Sequence, residues 1–197
     1  MRRVFYLTHP QVTIDPGVPV PHWSLSATGL ARAAVAGRAR WTRGVRTIVS
    51  SDETKAVETA AIIGATLGIA PRARADMHEN DRSATGFLEP AAFEAVADAF
   101  FAAPDERVRD WESARAAQAR IVAAAGAEIA RGESGDLLFV GHGAVGTLLM
   151  CHLLGETISR AFDQPAGGGH VFSYDATTGR VLSRWRALED DAGLMLG

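Results

Sequence analysis

The chain holds one cysteine, Cys151, and one lysine, Lys55, in 197 residues. A single thiol excludes an internal disulfide framework and fits a reducing compartment. Cys151 reads as a small buried hydrophobe on a helix. No apolar run approaches the roughly 20 residues of a membrane span, and Arg2-Arg3 leads straight into a strand with no signal-peptide pattern. A cytoplasmic protein with no membrane partner is therefore expected. Positive charge is not in excess either: the net charge of −3 argues against a nucleic-acid binder. With no internal repeat and no linker, residues 1–197 are expected to form one domain. A hydrophobic content of 47% and a charged content of 22% are ordinary globular values, and the length suffices for a core without staples.

What is present is an alternation of strand and helix patterns. The apolar run Val4 to Leu7 predicts a buried strand, ended by Thr8-His9-Pro10. Proline has no N–H and biases the residue before it toward extended backbone, so His9 is expected at the carboxyl end of a core strand. In open α/β sheets that edge is where ligands bind. Residues 11–24, with Pro16, Pro19 and Pro21, form a loop starting at this edge, with Trp23 packed and His22 exposed. Ser26 is the expected N-cap of a helix whose repeat is Leu30, Ala34, Gly37 and Trp41. A second strand, Val45 to Val49, ends in Ser50-Ser51. Ser51 or Asp52 caps the next helix, which turns Ala56, Ala60, Ile63 and Leu67 inward and stops at Gly68.

A weak strand over 72–76 precedes a polar, irregular stretch, 77–90, of the kind that often carries function. Helices are expected over 91–101 and 111–131. A strand over 137–140 ends in Gly141-His142-Gly143 and feeds a helix over 144–154. Residues 171–174 and 181–185 read as a hairpin, and 187–197 as a loose tail. The pattern predicts an α/β protein: a three-layer α/β/α sandwich, its mainly parallel central sheet carrying an antiparallel edge.

Thr8-His9, Ser50-Ser51 and Gly141-His142 end three predicted core strands. In a parallel sheet these ends share one side, and Lys55, one turn into the following helix, can point there too. Glu79, Asp81 and Arg82 lie on the polar loop after the third strand. Two imidazoles, an ammonium, a guanidinium and one or two carboxylates suit an anionic phosphoryl group. They do not suit a metal, which would want more carboxylates or closely spaced ligands. Glu79 and Asp81 compete for the role of acid. His170 beside three glycines is either a pocket residue or a surface turn, and His78 and His152 read as structural or exposed. Gly141-His142-Gly143-Ala144-Val145-Gly146 matches the dinucleotide fingerprint. The acidic second strand that this fingerprint needs is missing from residues 160–169.

These residues carry a resemblance. Thr8-His9-Pro10, Leu25-Ser26-Ala27-Thr28-Gly29, the run Ser50-Ser51 to Thr59-Ala60, Met77-His78-Glu79 with Gly86-Phe87, Trp111-Glu112-Ser113 and Val140-Gly141-His142-Gly143 occur in an order similar to that of the histidine phosphatase superfamily, the phosphoglycerate-mutase-like family. The resemblance implies that fold, no cofactor and no metal. It implies a small phosphoester as the ligand, with His9 attacking phosphorus to give a phosphohistidine. Lys55 and His142 would then hold the equatorial oxygens while Glu79 protonates the leaving oxygen and activates water. Thr8, Arg82 and Gly143 join Lys55 as expected substrate contacts.

The chain departs from the family pattern at three contacts. Thr8 stands where the family has a phosphate-clamping arginine. Pro10 stands in place of a glycine N–H, and Lys55 in place of a second arginine. The implied activity is a weak or specialised phosphatase. A non-catalytic phospholigand binder on the same fold and a mutase-type phosphotransferase are the alternatives.

Overall fold

The computed structural model describes residues 1–195. Six strands form one sheet: β1 (Arg3–Thr8), β2 (Val45–Ser51), β3 (Arg72–Arg74), β4 (Asp136–Gly141), β5 (His170–Asp175) and β6 (Val181–Ala187), in the order β3-β2-β4-β1-β5-β6. β3, β2, β4 and β1 run parallel, and β5 and β6 join antiparallel at one side. The helices are α1 (Ala27–Arg38), α2 (Thr54–Leu67), α3 (Pro90–Ala102), α4 (Ala114–Ala130), α5 (Gly143–Leu154) and α6 (Asp191–Met195).

The two-residue period of the strands divides the core. On β1, Phe5 and Leu7 face Ile48, Leu138 and Val140, covered by Ala36 of α1, Ala60 and Ile63 of α2 and Leu194 of α6. Val4 and Tyr6 face Val49, Leu137, Phe139 and Phe172, covered by Phe100 of α3, Ile121 of α4 and Leu148 of α5. Strands buried on both faces read as continuous apolar runs, which is why Val4 to Leu7 and Leu137 to Val140 stand out in the sequence.

The structure corrects four local expectations. The buried face of α1 is Gly29, Ala33, Ala36 and Gly37, so of the expected repeat Gly37 and Trp41 are buried, while Leu30 is exposed and Ala34 half-buried. Neither Asp52 nor Ser51 is the N-cap of α2. Glu53 holds that position without a side-chain capping bond, and the Ser51 hydroxyl accepts the Glu53 N–H at 3.2 Å. Trp111 lies before α4, buried, with its Nε1–H donating to Thr85 Oγ1 at 2.8 Å. The tail is not loose as far as it is described: Leu188 and Leu194 are buried, and Trp41 Nε1 donates to the Leu188 carbonyl at 3.1 Å.

The loop after β1 is anchored where it leaves the sheet. Ser26 caps α1 with its hydroxyl, and its own N–H donates to the Gln11 carbonyl at 2.9 Å. That carbonyl sits so close to Gly29 that a Cβ there would lie 2.1 Å from it. Gly29→Ala is therefore expected to push Gln11 away two residues from His9. The loss should be about 1–3 kcal/mol, as for overpacking elsewhere, read as a lower urea midpoint at unchanged m-value. An unchanged midpoint would show that the loop root yields freely.

Candidate active site

β2, β4 and β1 lie side by side and parallel, so Ser51, Gly141 and Thr8 end at one edge of the sheet. His9 is pinned there on both sides. Its N–H donates to the Gly141 carbonyl at 2.9 Å, and its carbonyl accepts from Gly169 N at 3.0 Å. Its Nδ1 lies 2.8 Å from the Pro10 carbonyl. A carbonyl only accepts, so Nδ1 carries the proton, and Nε2 bears the lone pair whenever the ring is neutral. Burial, reinforced by the charge on Lys55, lowers the His9 pKa to about 4, so the ring is neutral at pH 7.

His142 caps α5 in extended backbone. Its N–H donates to the Tyr6 hydroxyl at 3.2 Å, and that hydroxyl donates back to its carbonyl at 3.3 Å. The His142 ring faces that of His9 edge-on, with centroids 5.3 Å apart at 67°. It is wholly buried, which drives its pKa well below the ordinary value. Neither ring nitrogen has a hydrogen-bond partner among the described residues.

The Glu79 carboxylate lies at the N-terminus of α5. It accepts from Ala144 N at 3.2 Å and Val145 N at 3.1 Å. Those bonds and the charge of Arg82 favour ionisation, but burial outweighs them and raises the Glu79 pKa. Arg120 fixes this turn, donating to the Asp76, His78 and Glu79 carbonyls while paired with Glu112 at 2.7 Å. Asp81, the other candidate acid, is exposed, and its carboxylate accepts the Ser83 N–H at 2.9 Å, which lowers its pKa.

Lys55 is buried, its ammonium donating to the Val20 carbonyl at 2.9 Å and to the Glu53 carboxylate. Glu53 is the residue that the sequence did not reveal. Its other oxygen lies 3.5 Å from His142 Nε2 and accepts the Glu79 N–H at 2.9 Å. Burial opposes its ionisation, but the Lys55 ammonium and the Glu79 N–H prevail and hold the carboxyl well below its usual range. The single lysine is thus countered by an anion inside the site.

Thr8 is also buried. Its hydroxyl donates to Gln164 Oε1 at 2.6 Å and accepts the His170 N–H at 3.0 Å, so it is already committed within the protein. The far end of Gln164, its Nε2, lies over Gly143, 2.6 Å from where a Cβ would be. Asp163 holds this loop, accepting Gln164 N at 2.7 Å and the Thr147 hydroxyl at 2.9 Å. Nothing local in Asp163-Gln164-Pro165 signals this position. Arg82 is half-buried, its guanidinium 5.0 Å above the Phe93 ring, and lines a cavity with Glu53 and Glu79. His170 lies in β5 and is buried, not on a surface turn. Among the described residues, no three His, Cys, Asp or Glu side chains are grouped to hold a metal, and no helix is long and apolar enough to cross a membrane.

The family model of the histidine phosphatase superfamily (branch 1) matches residues 19–187. The chain belongs to the histidine phosphatase superfamily. The matched stretch holds Lys55, Glu79 and His142 but begins after Thr8-His9-Pro10. No curated protein matches the chain. Among solved structures it resembles mycobacterial glucosyl-3-phosphoglycerate phosphatase in complex with inorganic phosphate, with TM-score 0.76, 22% identity, and coverage of 96% of this chain and 99% of that one. It also resembles a mutant phosphoserine phosphatase from Entamoeba histolytica in complex with phosphoserine, with TM-score 0.77, 13% identity and coverage of 96% and 98%. A third, YhfR of Bacillus stearothermophilus, gives TM-score 0.76, 18% identity and coverage of 93% and 95%. At such identities these likenesses establish the histidine phosphatase fold and leave the chemistry to the site itself.

Proposed function

We propose that this histidine phosphatase hydrolyses a phosphomonoester through a phosphohistidine on His9. The reading rests on one observation above all: two neutral imidazoles meet at the sheet edge, and the His9 ring keeps Nε2 unprotonated while Nδ1 is tied to Pro10. In this mechanism Nε2 attacks phosphorus and the bond to the ester oxygen breaks. Protonated Glu79 gives its proton to the leaving oxygen, and burial, by raising its pKa, supports that role. Water then attacks phosphorus, losing its proton to Glu79. The P–N bond breaks, phosphate leaves and His9 regains its lone pair. Arg82, Lys55, His142 and the Gly143 N–H are the groups available to hold the equatorial oxygens. Gln164 Nε2, oriented by Thr8, is the nearest substitute for the arginine that the family has at position 8.

A second reading, a phospholigand binder without turnover, is favoured by Glu53. That carboxylate engages Lys55 and lies beside His142, two of the groups that phosphate needs. Incubation with acetyl phosphate separates the two readings. A catalyst gains the mass of one phosphoryl group on His9, as an acid-labile, base-stable adduct. Protein that binds phosphate or vanadate, yet neither labels nor turns over any phosphoester, is the binder.

A further inference from the structure

A cavity of about 680 Å³ opens beside Glu53, Glu79 and Arg82. Its two walls differ. One is hydrocarbon: Pro16, Val18, Pro19 and Val20 from the loop after β1, together with Phe87. A second hollow of about 240 Å³ continues it past Val20 and Phe87 to Ile14, Leu88 and Phe93. The other is polar: Glu53, His78, Glu79, Asn80 and Arg82, with the exposed carboxylates of Asp52 and Asp81.

The hydrocarbon wall is built in advance. Trp23 Nε1 donates to the Asp15 and Val18 carbonyls at 2.9 and 3.0 Å, closing the loop on itself, and Thr13 N donates to the Ser24 carbonyl at 2.9 Å. The Trp23 ring packs on Phe87 with centroids 5.7 Å apart. Lys55 grips the Val20 carbonyl, which ties the wall to the site. Three prolines limit the loop's other conformations.

We propose that this cleft selects phosphomonoesters whose leaving group is a hydrocarbon chain or ring and discriminates against those carrying a second anionic group. The inference rests on the phosphatase reading above and goes beyond it by naming the substrate class. Glu53, Glu79 and Arg82 belong both to the site around His9 and to the cavity lining, so the cavity is the adjoining space for the ester's organic part. There a hydrocarbon group can lie on Pro16, Val18, Pro19, Val20 and Phe87, and a second anion beyond the reach of Arg82 would meet Asp52 and Asp81. Preformed cavities of this size with a few convergent polar groups are the usual sites of drug-sized ligands.

The test is a series of n-alkyl phosphates from ethyl to octyl. Their leaving groups have nearly equal reactivity, so kcat/KM along the series reports contact with the wall. It is expected to rise about twofold to fourfold per methylene from butyl onward, the range for partial to full burial. 3-Phosphoglycerate and phosphoserine should fall at least about tenfold below octyl phosphate. Phe87→Ser and Val18→Ser should flatten the slope. Binding of the matching alkylphosphonates to the wild-type protein, followed calorimetrically, should show the same slope with an increasingly negative heat-capacity change. This arm needs neither turnover nor a variant that folds. A flat series in protein that binds phosphate or vanadate overturns the inference and leaves the phosphatase reading standing. Protein that binds no phosphate, vanadate or phosphonate overturns the reading beneath it.

Discussion

His9→Ala is expected to lower kcat/KM for any phosphomonoester by about 10⁴–10⁶, the range for deleting a group that acts as part of a covalent catalytic unit. The fold should survive, because the two bonds that pin residue 9, to Gly141 and from Gly169, use only the backbone. The pH profile adds an independent check. In the proposed mechanism His9 attacks only as the neutral ring. Below its folded pKa of about 4 the lone pair is protonated, so the rate should fall about tenfold per pH unit there and owe nothing to His9 above neutrality. Glu79 acts in the opposite sense. As the proposed acid it must be protonated to serve the leaving group, and burial raises its pKa, so its ionisation should set a descending limb on the alkaline side. Glu79→Gln should remove that limb and keep the acid one. An alanine variant with wild-type turnover would remove His9 from the reaction.

Glu53→Gln is expected to tighten binding of phosphate or vanadate by about 10- to 100-fold. Two unit charges about 5 Å apart at the effective dielectric of a partly buried site repel by about 3 kcal/mol, and relaxation and salt reduce the measured gain. Glu53 lies 3.5 Å from His142 and engages Lys55, so a dianion gathered by these two groups meets its charge directly. The same substitution breaks a buried ion pair and leaves Lys55 with the Val20 carbonyl, so the unliganded protein should melt lower. Saturating phosphate should recover part of that loss. Titration calorimetry together with thermal melts reads both effects. Weaker phosphate binding in Glu53→Gln would assign the carboxylate the opposite role, that of holding Lys55 and His142 in place for the ligand.

Glu53 also shows where sequence reading stops. In Ser51-Asp52-Glu53-Thr54 every residue is a plausible start of a helix, and capping preference points to Ser51 or Asp52. The backbone instead enters α2 at Glu53, and residue 53 is thereby carried inward beside His142. Leu30 escapes local reading for a related reason. α1 is rich in alanine, so its buried stripe, Gly29-Ala33-Ala36-Gly37, is made of residues too small to mark a face by their hydrophobicity. The end of the chain looked loose because its anchors are two leucines, Leu188 and Leu194, among polar neighbours, and one pack on Trp41 and its surroundings cannot be seen as a period.

The sequence alone determined the framework: apolar runs buried on both faces, punctuated by Pro10, Gly68 and Gly141-His142-Gly143. Such signals act between residues a few positions apart, which is the range over which strand period, helix caps and turns are decided. It also determined that His9 and His142 reach one edge, since parallel strands bring their ends together whatever packs around them. Tertiary structure alone decided the character of that edge. The Thr8 hydroxyl meets an amide 156 positions away, and the carboxyl of residue 79 accepts from the first turn of a helix that begins more than sixty residues later. Whether a carboxyl keeps its proton or a lysine keeps its charge available depends on desolvation and on partners contributed by distant segments, and no local pattern encodes either.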